Sequence, residues 1–312
     1  MGELVYARDV YGHTLVELGK KDERIVVLDA DLSSSTRTSF FAKEFPQRFL
    51  NLGVAEQNMM ATAAGLAACG KIVFVSTFSM FATARALDQV RNTIAYNNFN
   101  VKIVATHGGL TVGEDGASHQ ALEDVAFMRS IPNMRVIVPA DAPEAKEAVL
   151  AAYREEGPFY IRLGRSKVAS LEKREKFELG KGYILAAGED IAIVACGIMV
   201  KEALLARQML SAEGITPYVI NIHTVKPFDK DLIVEVAKKV KGFVVCEEHS
   251  VTGGLGSSVA EALADLLPRP LRRIGVRDKF GQSGSPAQLL EAYGLKANNI
   301  SEAVRSLLKW KV

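Results

Sequence analysis

Four short polar segments each follow an apolar, β-branched run, and together they hold most of the side chains in this sequence that could do chemistry. Asp29 to Thr36 (DADLSSST) follows RIVVL, Ser76 to Phe81 (STFSMF) follows IVFV, Thr106 to Gln120 (THGGLTVGEDGASHQ) follows VKIVA, and Arg162 to Ser166 (RLGRS) follows FYI. Arg162, Arg165 or His107 could hold a phosphate, and Asp115 and His119 could read hydroxyls or move protons. The ligand suited to that set is a phosphorylated polyol. Each residue alone also reads as an ordinary loop polar; their joint occurrence after successive strands favours a site, because open parallel sheets bind ligands beyond the carboxyl ends of their strands.

Glu56 opens the otherwise apolar stretch AEQNMMATAAGLAA. Two readings stand: a carboxylate favoured by the first-turn amides of a helix, or a half-buried carboxylate that exchanges a proton with a heterocyclic ligand. Phe78 and Phe81 likewise read as core packing or as one wall of a ligand pocket.

The elements that must position these residues alternate throughout. Short strand-like runs (RIVVLDA, IVFVST, VKIVAT, RVIVPA, FYIRL; then IAIVAC, PYVIN, GFVVCEE, LRRIGV) are separated by longer helical segments. That alternation predicts an α/β chain with two domains, each a mainly parallel sheet flanked by helices. The charge-dense stretch Ser166 to Tyr183 lacks a strand pattern and reads as a linker. The expected division is a first domain over residues 1–170, a linker over 171–182 and a second domain over 183–312. Helices are expected over Tyr6 to Gly19, Glu56 to Ala68 and Asn299 to Trp310, the last with Ile300, Val304, Leu307 and Leu308 at helical spacing. The small residues of the second of these suit close approach of a neighbour.

The chain has 312 residues, 48% of them hydrophobic and 24% charged, enough for two cores. With 38 basic against 36 acidic residues there is no excess of positive charge to meet a nucleic-acid backbone. Neither a signal sequence nor a membrane span is expected. Cys69, Cys196 and Cys246 stand apart in apolar surroundings, which suggests neither disulfides nor a metal cluster, and a cytoplasmic location is the expectation. In the second half, His223, His249 and TGGLGSS at Thr252 to Ser258 could form a phosphate loop, but glycine-rich entry into a packed helix is at least as good a reading.

The order NLGVAEQNMM, STFSMF, GEDGASHQALED, SIPNMRVIVPAD, HTVKPFD and EEHSVTGGLG resembles the C-terminal half of transketolases over nearly the whole chain. AEQ is shared by several thiamine diphosphate enzymes; GEDGASHQ followed by ALED is far more specific. The resemblance implies a pyrimidine-binding domain joined to a transketolase C-terminal domain, and two-carbon ketol transfer between sugar phosphates such as xylulose 5-phosphate and ribose 5-phosphate.

By position, the resemblance makes Glu56 the glutamate that hydrogen-bonds N1′ of the cofactor's aminopyrimidine. It makes Phe78 and Phe81 the aromatics that pack on that ring, with Ala84 where a third is often found. Asp31 falls in the cofactor-facing interface segment. Ser35, Arg8 and Arg165 correspond to sugar-phosphate ligands, and His107 to a further phosphate or hydroxyl contact. Asp115 corresponds to the reader of the hydroxyl beside the acceptor aldehyde, and His119 to a histidine that contacts hydroxyls or assists proton transfer.

Full-length transketolases bind the diphosphate through a divalent metal held by a GDG motif and a later asparagine in a separate N-terminal domain. GEDG at Gly113 to Gly116 belongs to the sugar loop, and Asn133 comes too soon after it. No metal ligand is therefore expected in this chain. A partner subunit carrying the GDG motif would bring the magnesium or calcium, in an α2β2 assembly containing a dimer of this chain. The alternatives are half of a 1-deoxyxylulose-5-phosphate synthase, the β chain of a 2-oxo acid dehydrogenase, or a non-catalytic regulatory relative.

Overall fold

A computed structural model describes residues 4–172 and 175–310. Fourteen strands are found among them: β1 Leu4–Val5, β2 Ile25–Asp29, β3 Phe49–Asn51, β4 Ile72–Ser76, β5 Val101–Ala105, β6 Arg135–Ile137, β7 Phe159–Arg162, β8 Val168–Ala169, β9 Tyr183–Ala186, β10 Asp190–Ala195, β11 Tyr218–Asn221, β12 Thr224–Lys226, β13 Val240–Ser250 and β14 Leu271–Val276. They form a seven-stranded sheet in the order β12-β6-β7-β5-β4-β2-β3, a five-stranded sheet β14-β13-β10-β11-β9, and a two-stranded ladder β1-β8. All pairs from β6 to β3 in the larger sheet are parallel, as are those from β14 to β11 in the smaller. Only β12 and β9 run antiparallel to their neighbours in these two sheets. The expected α/β architecture of two mainly parallel sheets with helices is what the chain forms.

Strands β2, β4, β5 and β7 are buried along their whole length because helices cover both faces of the sheet. That dictates continuous apolar runs, with one instructive exception. Lys102 in β5 is fully buried, and its ammonium donates to the carbonyls of Glu155 at 2.7 Å and Gly157 at 2.8 Å. Burial lowers its pKa to about 7.

The two halves are interleaved. β12 comes from the second half of the chain and closes the edge of the first sheet, antiparallel to β6. One hydrophobic cluster runs from Val26, Val75 and Tyr160 through Ile220 to Val245 and Leu255, so the sheets share a core. Within the segment expected to lack strands, Val168 and Ala169 pair with Val5 and Leu4 and fasten its beginning to the start of the chain. Lys173 and Arg174 of that segment lie outside the described residues.

The helices expected near the chain start, in the alanine-rich segment and at the end span Ala7–Gly19, Glu56–Ala68 and Ala297–Leu308. Helix Glu56–Ala68 buries Glu56, Met59, Met60, Ala63 and Ala64 and leaves Ala61, Gly65 and Ala68 exposed. Of the cysteines, Cys196 and Cys246 are buried, whereas Cys69 is exposed, unlike its apolar sequence surroundings suggest.

Candidate active site

Because β7, β5, β4 and β2 are consecutive in the sheet and parallel, the four polar segments open at one edge. The chain runs from β2 to β3 on one side and then crosses to β4 on the other, so its connections diverge at the β2 and β4 ends, the kind of place where open α/β sheets bind ligands. Thr106 continues the pairing past β5 by bridging to Phe78, so the aromatic and sugar segments are tied together at their roots.

An aromatic cluster fills the centre. The Phe78 ring stacks on His107 at 3.8 Å between centroids, and Phe81 lies 6.0 Å from Phe78 at an interplanar angle of 20°. His119 stands edge-on to both, 5.3 Å from Phe81 and 6.3 Å from Phe78. It thereby joins the aromatic wall to the sugar loop. His107 is buried with a left-handed backbone (φ 59°), and its Nδ1 is 2.9 Å from the Thr106 hydroxyl. Burial, then the neighbouring Arg8 and Arg165 charges, lower its pKa to about 3. His107 is therefore neutral at physiological pH and suited to a hydroxyl rather than to neutralising a phosphate.

Glu56 sits at the first position of its helix and is only 1% exposed. Among the described residues its carboxylate is bonded by Arg85 alone: Nη1 lies 2.9 Å from each oxygen. The carboxylate is thus not spent on capping its own helix. The Arg85 guanidinium also lies over the Phe81 ring, 4.3 Å from the centroid. The sequence reading missed Arg85, though it stands one turn beyond STFSMF.

A second cluster is cationic. Arg8 and Arg165 line a cleft of about 330 Å³ with Tyr6, Thr111, Ser166 and Lys167. Arg8 donates to the Ser35 carbonyl at 3.1 Å, and Arg8 and Lys167 both stand over the Tyr6 ring. Burial, then the positive charge of Arg37, lowers the Arg8 pKa; Arg165 adds to this, and Asp9 and Tyr6 oppose it. Crowded cations of this kind call for an anion. Arg165 bonds the Val112 carbonyl and Glu114 (3.1 Å) and approaches Asp115 at 3.9 Å, so the sugar loop is latched to it. Tyr6 and Lys167 were not picked out in the sequence; the basic run RLGRSK was the available signal.

One residue considered for phosphate falls elsewhere: Arg162 is buried and donates to Asp124 at 2.7 Å and to the carbonyls of Ala121 and Glu248, so it belongs to the interior. Asp31 is exposed, in a left-handed conformation (φ 63°), and bonded by Asn51 at 3.1 Å. In the second half, Glu247 accepts from the amides of Leu255 and Gly256, filling the start of the helix that TGGLGSS leads into. Packing, not an open phosphate loop, accounts for that segment. His223 is buried against Phe177 at 4.2 Å.

The buried carboxylate with one half-exposed partner, the flat aromatic wall and the unpartnered buried atoms Thr77 Oγ1, Arg8 Nε and Thr111 Oγ1 fit a planar heterocycle and a polar anionic ligand. Among the described residues no group of three His, Cys, Asp or Glu side chains is placed to hold a metal. No helix among them is long and apolar enough to cross a membrane.

Polar loops gathered beyond the strand ends of a mainly parallel sheet, joined to a second α/β unit, define an α/β architecture of the kind that binds ligands at that edge. Family models sharpen this: residues 5–170 match the transketolase pyrimidine binding domain and residues 180–300 the transketolase C-terminal domain. The chain belongs to the transketolase family, whose members depend on thiamine diphosphate, and it comprises the family's C-terminal half. It is 52% identical over 307 residues, covering 97% of this chain and 96% of the relative, to a protein named as a transketolase C-terminal section in Methanocaldococcus jannaschii. It is 44% identical, over 98% of this chain and 95% of the relative, to the 6-deoxy-6-sulfo-D-fructose transketolase subunit SqwH of a Clostridium species. A solved split-gene transketolase, described as an inactive β4 tetramer, superposes with a TM-score of 0.90 at 50% identity, covering 99% of this chain and all of that one.

Proposed function

We propose that this chain is the C-terminal subunit of a two-subunit transketolase, which moves a two-carbon ketol unit from a ketose phosphate to an aldose phosphate. The observation that carries the reading is a buried Glu56 carboxylate linked through Arg85 to the Phe81 ring, which neighbours Phe78, with the Arg8 and Arg165 cleft at the same sheet edge. Thiamine diphosphate, when bound, supplies the nucleophilic carbon and the electron sink.

This chain's residues provide the surroundings. Glu56 holds and exchanges the proton at ring nitrogen N1′. Phe78 and Phe81 cover the pyrimidine and exclude water. His119 and Asp115 orient substrate hydroxyls, His107 adds a neutral hydroxyl contact, and Arg8 and Arg165, beside Ser35, hold the anionic end. Asp31, at the exposed end of β2, would face the partner. The similarity to a split-gene transketolase supports a GDG-bearing N-terminal subunit, which would contribute the diphosphate site with its magnesium or calcium. An α2β2 assembly working in the cytoplasm is the arrangement we favour.

A tetrahedral anion other than phosphate would suit the same cations, and the similarity to SqwH supports a sulfonated ketose as second donor class. The test is transfer from xylulose 5-phosphate or 6-deoxy-6-sulfofructose to an aldose phosphate, with thiamine diphosphate and magnesium, by this chain alone and mixed with a GDG-bearing subunit. Transfer only in the mixture is expected. Silence in a mixture that assembles and binds cofactor would reject the reaction.

A further inference from the structure

Glu56 presents a difficulty that its neighbours resolve. A carboxylate 1% exposed must be paired, since a lone buried charge costs several kcal/mol. Its partner among the described residues is Arg85, whose side chain remains 46% exposed. The guanidinium makes three contacts at once: it donates from Nη1 to both Glu56 oxygens at 2.9 Å and lies over the Phe81 ring at 4.3 Å. A flat group that meets Glu56 at its edge and Phe81 at its face is also what the proposed function requires of a bound aminopyrimidine.

From this geometry we propose that Arg85 is a resident surrogate for the cofactor ring: it plugs the pyrimidine pocket of the subunit and is displaced from Glu56 when the cofactor enters. The inference rests on the functional reading above and concerns how the same site is kept closed before assembly.

The local backbone suits such a part. Arg85 ends the π-helical segment Phe81–Arg85, a wide and uncommon turn found often at functional sites. The Gln57 side chain donates to the Arg85 carbonyl at 3.0 Å and anchors the backbone to the helix that carries Glu56. The half-exposed guanidinium can therefore swing outward on its own side-chain torsions while its backbone stays in place. Once the ring is present Glu56 is paired again, through a proton taken up from solvent and shared between its carboxylate and ring nitrogen N1′, so no lone buried charge is left when the arginine swings out.

The proposal makes the two roles of Arg85 opposite in sign, and they are read separately. Thermal unfolding of the isolated chain tests the clasp: R85M should lower Tm by several degrees and E56Q/R85M should regain most of that loss, whereas an unchanged Tm in R85M would reject the ion pair as a support. Calorimetric titration of thiamine diphosphate into the magnesium-containing complex of this chain with its diphosphate-binding partner tests displacement. A plug closed for most of the time reduces apparent affinity by the open fraction, so R85M should bind about 3- to 10-fold more tightly than wild type. Equal or weaker binding by R85M would overturn the surrogate. Absence of binding by both the wild-type and the R85M complexes would instead overturn the cofactor assignment of the pocket.

Discussion

The Glu248 carboxylate accepts the amide hydrogen of Thr111 at 2.6 Å, so a side chain of the second sheet fixes the root of the loop that carries Asp115 and His119. The fit leaves no spare room. Gly109 has φ 86°, and a methyl group on it would come within 2.3 Å of Glu248. Gln120 adds a second tie, donating to the Leu110 and Gly113 carbonyls and across to Gln282 at 3.0 Å. The C-terminal unit therefore bears on the candidate site indirectly, by holding the 106–120 loop in place.

Glu248→Ala is expected to leave the Thr111 amide buried and unpaired, costing about 1–3 kcal/mol. The loop should loosen before the fold does. Steady-state kinetics of the reconstituted enzyme should show a raised KM for sugar phosphates, accompanied by a lower Tm; an unaltered KM with the lower Tm would limit Glu248 to stability.

Arg165 bridges the sugar loop and the anion cleft. Replacing it with alanine removes a charge-assisted contact worth about 1.5–3 kcal/mol, so KM for a phosphorylated acceptor should rise roughly 10- to 100-fold. An acceptor without phosphate, such as glycolaldehyde, should be affected far less. Equal losses with both acceptors would remove Arg165 from the anion site.

Burial is the leading cause of the low pKa of both His107, at about 3, and His223, at about 4. In the unfolded chain both titrate near 6.5. Between those values the unfolded state binds more protons, so stability rises with pH through this window and is lost as pH falls from 6.5 towards 3. Glu144 works against this: burial raises its pKa to about 7, which costs stability as pH climbs from 4.5 to 7. Acid titration of the unfolding midpoint should therefore show a slope that His107→Gln reduces between pH 4 and 6. A slope identical in that variant would mean that His107 is not held neutral in the folded state.

How much of this could be read beforehand depended on whether a residue's environment is local. Strands β2, β4, β5 and β7 announce themselves because both their faces are buried, so the apolar runs are continuous. β3 and β12 are three-residue edge strands without such runs, and β12 owes its existence to pairing with β6 from the other half of the chain. β13 runs on through Glu247, Glu248 and His249; the strand-like run GFVVCEE includes the two glutamates, but their burial, with the amides of Leu255, Thr111 and Ala126 meeting the three side chains, is not visible in it. Arg162 misled for the same reason. An arginine after a strand reads as a ligand for anions until Asp124, 38 residues earlier, is seen to bind it. Phe78, Phe81, His107 and His119, singled out through the motifs that contain them, are brought into one cluster, whereas Arg85, the partner of Glu56, lies 29 residues from it and just past the motif that holds Phe78 and Phe81.

Everything proposed for this site turns on Glu56 activating thiamine diphosphate bound between this chain and its partner. The most direct measurement is the rate at which the C2 hydrogen of the bound cofactor exchanges with deuterium, followed by quenched-flow NMR in wild-type and Glu56→Gln complexes of equal assembly and cofactor content. General acid–base assistance of this kind contributes typically about 10²–10⁴-fold, so exchange in the variant should slow by at least about 100-fold. Exchange as fast as in the wild-type complex would contradict the role assigned to Glu56.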